Sequence, residues 1–406
     1  MSILVINAGS SSLKFGLFDT DARETLASGM IDWTADPQHA TLIVQRPGKD
    51  DMRSDIDVAN HHAALTHALH SLAGPEPDGS DDWSAVRAIG HRVVHGGAVF
   101  RESVRIDGNV KAAIARLAEL APLHNPPALA GIAAAEIALP AVPQVAVFDT
   151  AFHSHLPPSA YVYPLPYEWY TDWGVRRFGF HGISHAYCAG CAAELLGRNL
   201  CDLRLVSCHL GNGCSATAVH GGVSVATTMG FTPMEGLMMG SRPGWVDPGI
   251  LVYIQQRHGL TPAQLDDLLN HRSGLLGVSG ISSDFRRVEA AAKEGNDRAR
   301  LAIEMYAGRV RSAVGALAVT MGGVEALAFT AGVGEHSASL RAAVCDGLEC
   351  LGLRLDHQRN AANQPDTDIA TADSPSRILV IHTREELMIA RETYRIAFNA
   401  RCVATM

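Results

Sequence analysis

Short apolar segments along the chain alternate with longer segments whose apolar residues recur at helical spacing. The short segments "ILVI", "LRLVSCHL" and "ALAFT" run into turns at Asn7, Gly211 and Ala331. Strands that alternate with helices in this way are typical of α/β proteins. The pattern therefore predicts an α/β fold whose longer helical segments are 109–138, 184–197, 261–271, 297–321 and 384–398.

Two segments about two hundred residues apart share one pattern of strand, turn and second strand. They read "ILVINAGSSSLKFGLFD" and "LVSCHLGNGCSATAVHGG", and both turns contain glycine and serine. This similarity predicts a β-hairpin that is duplicated, with one copy in each of two domains. A chance match between two short turns is the alternative interpretation.

The first of these turns has a composition that suits phosphate binding. Gly9 and three serines, 10–12, follow the strand, and Lys14 adds a positive charge. Backbone N–H groups and hydroxyls that converge on one point can bind phosphoryl oxygens. A tight polar hairpin turn is the alternative, and the sequence lacks the GxxxxGK[ST] motif of a Walker loop.

Two further turns have the same capability. Gly211-Asn212-Gly213 follows the strand "LRLVSCHL", and "TAGVGEHS" (330–337) predicts a glycine loop that opens a helix at Ser337. Each turn is weak evidence by itself. Three such turns at the ends of three strands predict a nucleotide cleft between two domains.

Length and charge narrow the class of protein. The 406 residues, 47% hydrophobic and 18% charged, fit two or three globular domains. The formal net charge of −9 argues against a nucleic-acid partner, because phosphate backbones are bound through excess Lys and Arg. An anionic ligand would instead meet local positive charge, for which the candidates are 91–97, 240–244 and, more weakly, 284–287.

The start of the chain has no basic segment followed by a cleavable apolar one, and we expect no membrane span. The eight cysteines are then expected to be reduced thiols of a cytoplasmic protein. Cys188 and Cys191 form a CxxC motif with no second pair at zinc-site spacing. We interpret them as part of a small-residue helix face, with metal or redox chemistry as the alternative.

Nine motifs, in order along the chain, resemble those of the acetate kinase family. They are "NAGSSSLKF", "GHRVVHGG", "FDTAFH", "RRFGFHGISH", "HLGNGCS", "TMGFTPMEGLMMGSR", "SGISSDFR", "TAGVGEH" and "EELMIAR". The resemblance runs from end to end and implies the fold shared by actin, chaperone ATPase domains and sugar kinases. That is a two-domain actin-like ATPase fold of the ribonuclease H-like type, with duplicated mixed sheets and a nucleotide cleft between the domains. The implied N-terminal domain comprises 1–150 and 386–400, and the implied nucleotide-binding domain comprises 151–385.

The activity that the resemblance implies is reversible phosphoryl transfer from ATP to acetate by direct in-line displacement, giving acetyl phosphate and ADP. Arginine suits this chemistry because its planar fork binds phosphate or carboxylate at two points. One arginine at the transferring group can be worth roughly 10³ to 10⁵ in rate. The residues that match the family's catalytic positions are Arg92, Asp149, His181 and Arg242.

Asp149 matches a position that is described in the family as a proton donor or acceptor. A carboxyl group with a pKa of about 4.3 is already an anion at neutral pH, which argues against a strict general-base role. Our hypothesis is that Asp149 holds a water of Mg²⁺, or orients Arg92 and the substrate.

The resemblance also implies binding residues for both substrates. A small apolar pocket would cover the methyl group of acetate, while Arg92 and Arg242 face the carboxylate. The positions that match this pocket are Val94, Leu123, Phe180 and Pro233. The positions that match ATP contacts are Lys14, His209, Leu210, Gly211, Asn212, Gly213, Asp284, Phe285, Arg286, Gly332, Val333, Gly334, Glu335 and His336.

The implied metal is Mg²⁺, with Mn²⁺ as the alternative ion. Asn7 and Glu385 match the family positions near it, and oxygen ligands with retained waters suit this ion. The implied partners are therefore acetate and ATP, with no nucleic acid and no membrane. A homodimer is expected because family members form homodimers.

Four positions depart from the family pattern. Ile183 stands where threonine is common, and His336 where asparagine is common. Trp245 stands where an acidic residue is usual, and Arg384 stands where asparagine usually precedes two glutamates. None of these changes removes a proposed catalytic group, so they bear on rate and nucleotide preference.

The sequence also allows two other functions, and an inactive structural relative that would bind MgATP weakly and show no turnover. A kinase for a longer acid, propionate or butyrate, would share most motifs, although "NAGSSS" favours the acetate branch. An actin-like or chaperone-type ATPase module would hydrolyse ATP without any carboxylate acceptor. The two arginines and the apolar pocket argue against the second alternative, because a hydrolase that uses only water needs neither.

Overall fold

The computed structural model describes residues 1–9, 12–33, 36, 39–73, 83 and 85–398. The chain forms two compact units, Met1–Phe152 with Arg384–Met406 and His153–Thr383. The domain boundaries implied by the resemblance stay a prediction, and residues 399 and 400 of the implied N-terminal domain lie outside the described residues.

Strands and helices alternate along most of the described chain. The strands are β1 Ser2–Ala8, β2 Ser12–Asp19, β3 Thr25–Asp32, β4 His39–Gln45, β5 Met52–Asp57, β6 Val86–Val93, β7 Val104–Arg105, β8 Gln144–Phe148, β9 Arg204–Leu210, β10 Cys214–His220, β11 Val223–Thr227, β12 Ala326–Thr330, β13 Thr367–Asp368 and β14 Arg377–Val380. The helices are α1 His61–Ala73, α2 Gly108–Arg116, α3 Asn125–Ala138, α4 Pro158–Tyr161, α5 Tyr167–Thr171, α6 Gly182–Leu196, α7 Pro248–His258, α8 Pro262–His271, α9 Gly274–Ser279, α10 Phe285–Lys293, α11 Asp297–Thr320, α12 Ala331–His336, α13 Ala338–Cys345, α14 His357–Ala362 and α15 Glu385–Phe398.

The two units contain sheets with the same central topology. The sheet of the first unit has the order β5-β4-β3-β2-β1-β6-β8-β7, and that of the second has β11-β10-β9-β12-β14-β13. In both sheets an antiparallel hairpin leads into parallel strands, since β1 pairs in parallel with β6 as β9 does with β12. The predicted α/β class and the predicted duplication into two mixed sheets are confirmed.

Helices cover the sheet of the first unit. Leu4, Ile6 and Ala8 of β1 belong to a buried apolar cluster together with residues of α1 and α3. The last helix, α15, packs on β1, β6 and β8. All residues of β1 except Asn7 are buried, which follows from this cover because alternate residues of a strand point to opposite faces of its sheet.

The second unit is organised around its longest helix, α11. Tyr306, Val310 and Val314 of this helix are fully buried, and α11 packs on α9, α10, α13 and β10. Asn296 caps its first turn by accepting a hydrogen bond from the N–H of Ala299 at 2.9 Å.

Two sequence predictions about secondary structure were wrong in detail. The predicted helical segment 109–138 is two helices, because Pro126 and Pro127 favour the first turn of a new helix, α3. The predicted glycine loop of "TAGVGEHS" is itself a short helix, α12. Ser337 does begin the following helix, since its hydroxyl accepts a hydrogen bond from the N–H of Leu340 at 3.2 Å.

The buried apolar residues of the chain pack inside the two units. Among the helices of the described residues, none combines the length and the apolar composition that crossing a membrane requires.

Replacing Gly90 by alanine should loosen the attachment of α15 to the first unit. The added Cβ would lie 2.1 Å from Oγ1 of Thr393 and 2.9 Å from Cγ2 of Ile389, so the helix must move away from β6. Overpacking of this kind costs about 1 to 3 kcal/mol. We expect a corresponding fall in the free energy of unfolding of the first unit, measured by chemical denaturation.

Gly108→Ala is the matched control for this prediction. Gly108 begins α2, and a Cβ there would have no atom within 4 Å. Its effect should therefore stay below about 1 kcal/mol. Equal stability of the two variants would contradict the close packing described at Gly90.

Candidate active site

The predicted phosphate turn of the second unit is the connection between β9 and β10. The N–H of Gly211 donates to the carbonyl of Gly213 at 3.1 Å, which closes the turn. The N–H of Gly240 donates to the carbonyl of Asn212 at 3.0 Å, and a Cβ on Gly240 would lie 2.1 Å from Oδ1 of Asn212. Glycine at position 240 therefore lets the segment that carries Arg242 approach the turn closely.

A cavity of about 850 Å³ opens beside this turn, entirely within the second unit. Its volume falls within the range of about 300 to 1,000 Å³ that is usual for small-molecule sites. Eight of the predicted ATP contacts line it: Gly211, Asn212, Asp284, Phe285, Arg286, Gly332, Val333 and His336. The structure thus brings together the second and third glycine-containing segments with the start of α10.

Sequence reasoning missed several residues of this cavity. The additional lining residues are Leu275, Ser283, Glu289, Lys293, Ser337, Ala338 and Ser339. Glu289 and Lys293 follow Phe285 at intervals of four residues on α10, so they share one face of that helix. This periodicity was the signal that could have identified them.

Asp284 and Arg286, which both line the cavity, bind each other. Oδ2 of Asp284 lies 2.7 Å from a terminal nitrogen of Arg286, and Oδ1 accepts from the backbone N–H of Arg286 at 2.9 Å. The hydrogen bond from the Arg286 side chain lowers the pKa of Asp284 below its usual value. Asp284 is also the cap that starts α10, which fixes where the pair sits.

Glu335 is directed into the protein and does not line the cavity. Its carboxylate accepts from the N–H groups of Ala331 at 2.8 Å and Thr383 at 3.0 Å, and it lies 2.5 Å from Nδ1 of His382. Burial would raise the pKa of Glu335, but the hydrogen bonds from His382 and Thr383 hold it below its usual value. Ala331 has a φ of 64°, in the left-handed region, and this hydrogen bond supports that backbone. The remaining predicted contact of α12, Gly334, is buried as well.

His181 immediately precedes α6, with φ of 56° and ψ of 24°. Its ring stacks on that of His209, with ring centroids 4.1 Å apart and planes 25° apart. Each of the two rings has Nδ1 at a serine hydroxyl, Ser215 at 2.9 Å for His181 and Ser184 at 2.8 Å for His209. The two predicted histidines are therefore adjacent and held in fixed orientations beside Leu210 and the Gly211–Gly213 turn.

Arg242 lies close to the predicted pocket residue Pro233. A terminal nitrogen of Arg242 donates to the carbonyl of Pro233 at 3.2 Å. Burial lowers the pKa of Arg242 from its usual value, although a guanidinium stays charged at neutral pH. The site therefore contains a partly desolvated positive charge, which attracts an anion more strongly than an exposed one does.

Arg92 and Asp149 form an ion pair in the first unit. A terminal nitrogen of Arg92 lies 2.6 Å from Oδ2 of Asp149, whose side chain is 1% exposed. Arg92 is on β6 and Asp149 directly follows β8, and these parallel neighbours end at the same edge of the sheet. Within the described residues, Oδ1 of Asp149 and Nε of Arg92 are buried without a hydrogen-bond partner.

Burial and the charges around this pair shift the pKa values of both Glu385 and Arg92. Burial raises the pKa of Glu385, the first residue of α15, to about 7, with Arg92 opposing and Asp149 adding to the rise. Burial would lower the pKa of Arg92, but the charges of Asp149 and Glu385 hold it above its usual value. Lys14 also acts electrostatically on Glu385, and it lies opposite Asn7 in the β1–β2 hairpin.

The acidic groups of the first unit fit a magnesium ion. No group of three or more His, Cys, Asp or Glu side chains suited to a metal occurs among the described residues. Mg²⁺ does not need one, because it keeps several waters and takes one or two carboxylates. The unpartnered Oδ1 of Asp149 and the carboxylate of Glu385, whose burial disfavours its charge, are donors of that chemistry.

The environment of Cys188 disfavours metal or redox chemistry at the CxxC motif. Cys188 and Cys191 lie within α6, and burial raises the pKa of Cys188 to about 12. Its thiol is therefore protonated at neutral pH, which disfavours both metal ligation and redox attack.

The four predicted pocket residues are divided between the units. Val94 and Leu123 belong to the first unit, and Leu123 is 54% exposed. Phe180 and Pro233 belong to the second unit, where Phe180 is buried.

The positions that depart from the family pattern have different surroundings. Ile183 is buried in α6, and His336 lines the cavity. The carbonyl of Trp245 accepts from a terminal nitrogen of Arg309 at 2.9 Å. Arg384 immediately precedes α15.

The turn of the first unit that the sequence predicts to bind phosphate is described only at its two ends. The N–H of Gly9 donates to the carbonyl of Ser12 at 2.8 Å, and Ser10 and Ser11 lie outside the described residues.

Comparisons with known proteins agree over the whole chain. The sequence model of the acetokinase family matches residues 2–391. An acetate kinase from Cyanothece sp. is 51% identical over 402 residues, which are 98% of this chain and 98% of that protein. The crystal structure of an acetate kinase from Porphyromonas gingivalis has a TM-score of 0.90 and 40% identity, covering 97% of this chain and 99% of that one. A propionate kinase structure from Francisella tularensis has the same TM-score of 0.90 and the same coverage of 97% and 99%, at 37% identity. The duplicated sheets are those of the actin-like ATPase fold, and the chain belongs to the acetokinase family.

Proposed function

We propose that this protein transfers the γ-phosphoryl group of ATP reversibly to acetate, giving acetyl phosphate and ADP. The observation that carries the proposal is the match to acetate kinases from one end of the chain to the other. The cavity and the charged residues described above supply groups that this reaction requires.

The nucleotide would occupy the second unit. The cavity is large enough for an adenosine, and the Gly211–Gly213 turn at its edge offers backbone N–H groups to the phosphates. Lys293 and Arg286 also line the cavity, but each is paired with a carboxylate of the same lining, Glu289 at 3.2 Å and Asp284 at 2.7 Å. Lys14, in the first unit, would add a positive charge for the phosphates.

The transfer itself needs charge stabilisation more than covalent help from the protein. A carboxylate oxygen of acetate attacks the γ-phosphorus, its new P–O bond forms, and the bond from phosphorus to the oxygen of ADP breaks. The negative charge on the equatorial oxygens would be bound by Arg242 and by a hydrogen bond from His181. Arg92 would bind the carboxylate of acetate.

No general base is required in this direction, because acetate is already an anion at neutral pH. The role that the geometry supports for Asp149 is therefore to hold the guanidinium of Arg92 in place, at 2.6 Å. Its second oxygen, buried and without a partner in the described residues, would accept from a water of the metal.

We propose Glu385, Asn7 and Asp149 as the residues that hold Mg²⁺, directly or through water. Bound Mg²⁺ would supply positive charge that neutralises the phosphate oxygens of ATP. Oxygen donors of this kind also accept Mn²⁺.

The second candidate substrate is propionate, which the propionate kinase among the structural relatives favours. One additional methylene changes binding by about 1 to 3 kcal/mol. Propionate should therefore be accepted less well than acetate and not refused.

We further propose that the protein is a cytoplasmic homodimer. The cysteines of the described residues are free thiols, which supports a reducing compartment. On α7 the apolar side chains of Ile250, Val252 and Tyr253 are 52%, 53% and 60% exposed, and no residue of that helix is buried. A second copy of the chain is the partner that we propose for this apolar helix.

Incubation with MgATP, hydroxylamine and a carboxylic acid tests the proposed reaction by trapping any acyl phosphate as a hydroxamate. We expect strong product with acetate, less with propionate, and none without a divalent cation. Steady release of ADP with no hydroxamate from acetate, propionate or butyrate would instead support an ATPase module.

Asp149→Asn should lower kcat, because the variant keeps an oxygen acceptor but loses the charge that holds Arg92. We expect a fall of roughly 10² or more, since misplacement by about 1 Å can cost that much. Asp107→Asn is the control, because Asp107 caps α2 in the same unit and asparagine caps equally well. Full activity of Asp149→Asn across neutral pH would exclude both the positioning role and a general-base role.

Glu385→Gln should raise the concentration of Mg²⁺ needed for half-maximal activity by about tenfold or more, because the amide is a weaker ligand than a carboxylate. Glu392→Gln removes the same charge from the same helix, α15, at a position paired with Arg395. That control should keep the Mg²⁺ requirement of the unchanged protein. An identical requirement in both variants would argue against Glu385 as a metal ligand.

A further inference from the structure

His185 is a fully buried histidine on α6 that is not among the proposed substrate contacts. It lies one helical turn after His181, and its backbone N–H donates to the carbonyl of His181 at 2.9 Å. Both of its ring nitrogens have serine partners: Nδ1 lies 3.0 Å from Oγ of Ser207, and Nε2 lies 2.8 Å from Oγ of Ser215. A buried ring with both nitrogens engaged has a single orientation.

Ser215 joins His185 to His181. Its hydroxyl lies 2.9 Å from Nδ1 of His181 and 2.8 Å from Nε2 of His185. Ser215 is on β10, directly opposite His209 of β9 in the hairpin register. Ser207, His185, Ser215 and His181 thus form one continuous chain of hydrogen-bonding groups.

This chain of hydrogen bonds ends beside the predicted phosphate turn, Gly211–Gly213. A Cβ built on Gly213 would lie 3.3 Å from Nε2 of His181, so this nitrogen is on the side of the ring that faces the turn. His209 is arranged in parallel, with Nδ1 at Ser184 and with Nε2 3.7 Å from a Cβ built on Gly211. Both stacked rings are therefore anchored through Nδ1 and directed to the turn through Nε2.

The position of each proton in this chain of hydrogen bonds can be assigned by starting at His181. Phosphoryl oxygens only accept hydrogen bonds, so a neutral His181 must carry its proton on Nε2 to bind one. Its Nδ1 then accepts from the hydroxyl of Ser215, and that oxygen accepts from Nε2–H of His185. Nδ1 of His185 in turn accepts from Ser207.

His185 is suited to this place because it stays neutral. Burial, with smaller effects from His153 and His209, lowers its pKa well below its usual value. A neutral imidazole has one donor and one acceptor, which is what a chain with a single direction requires.

We propose that His185 is a positioning residue for the phosphoryl transfer, acting through Ser215 to keep the proton of His181 on Nε2, where it faces the transferred phosphoryl group. This inference rests on the proposed function for the reaction that it serves. The hydrogen-bond direction itself can be measured without any reaction.

Nitrogen-15 NMR of the histidine side chains tests the direction in the unchanged protein. The signals of His181 are assigned by their loss in His181→Gln. We expect Nε2 of His181 to carry the proton and Nδ1 to be an unprotonated acceptor, with Ser215→Ala giving a mixture of the two tautomers. A proton on Nδ1 of neutral His181 would overturn the proposal.

Steady-state kinetics of Ser215→Ala tests the consequence for catalysis. We expect kcat to fall roughly 10- to 100-fold, less than the loss of a whole donor costs, with little change in KM for ATP or acetate. Ser224→Ala is the matched control, because it removes a hydrogen bond of 2.8 Å from another buried histidine, His153, outside this chain. Unchanged kcat in Ser215→Ala, or an equal loss in Ser224→Ala, would contradict the proposal.

Two replacements of His185 distinguish the effect of losing its hydrogen bond to Ser215 from the effect of losing its imidazole ring. Glutamine can place an N–H near the position of Nε2 and keep the donor to Ser215, whereas asparagine reaches only the position of Nδ1. His185→Gln should therefore retain more of kcat than His185→Asn, and equal losses in both would contradict the positioning role.

Failure of this inference and failure of the proposed function give different results. Wild-type protein that forms no hydroxamate refutes the function, whatever the NMR spectrum shows. Wild-type activity together with full activity of Ser215→Ala refutes the positioning chain and leaves the function intact.

Discussion

The ion pair between Arg92 and the buried Asp149 is the interaction on which the proposed site of the first unit depends. Removing two charges from water costs several kcal/mol for each ion, and only close geometry with an opposite charge offsets that cost. Arg92 and Asp149 come close enough, with a terminal nitrogen 2.6 Å from Oδ2, because β6 and β8 are parallel neighbours that end together. Glu385 brings a second carboxylate near this pair, and burial together with the charge of Asp149 raises its pKa to about 7 against the opposing charge of Arg92. A buried charged cluster of this kind is weak evidence for stability, and the function proposed above gives a reason for it.

In the second unit the proposed phosphate contacts are backbone groups and histidine rings held by hydrogen bonds. The β9–β10 turn is held by its own hydrogen bond and by the close approach of Gly240, which lies two residues before Arg242. Serine hydroxyls fix the histidine rings next to it. Donors that are already oriented need no reorganisation when charge develops, and this is the main source of electrostatic catalysis.

Much of this arrangement could be predicted from the sequence because it depends on local chemistry. Glycine and serine between two β-prone runs predicted both hairpins, and the apolar periods predicted the α/β class. The serine before α13 predicted where that helix begins. The break between α2 and α3 was missed because apolar spacing continues across it, although the two prolines marked it.

Other features could not be predicted because they depend on register and on contacts distant in sequence. The series of hydrogen bonds from Ser207 to His181 depends on the β9–β10 register, which sets Ser215 opposite His209. It also depends on α6, which brings His185 to Ser215. The partners of Glu335 at Thr383 and His382 are almost fifty residues away along the sequence. Nothing in the spacing of these residues indicates that they meet.

Synthesis of ATP from acetyl phosphate and ADP distinguishes the proposed kinase from an ATPase module, because such a module has no means of carrying it out. Given Mg²⁺, acetyl phosphate and ADP, the protein should form ATP and an equal amount of acetate. Absence of ATP under these conditions, from protein that still binds nucleotide, would contradict the proposed phosphoryl transfer.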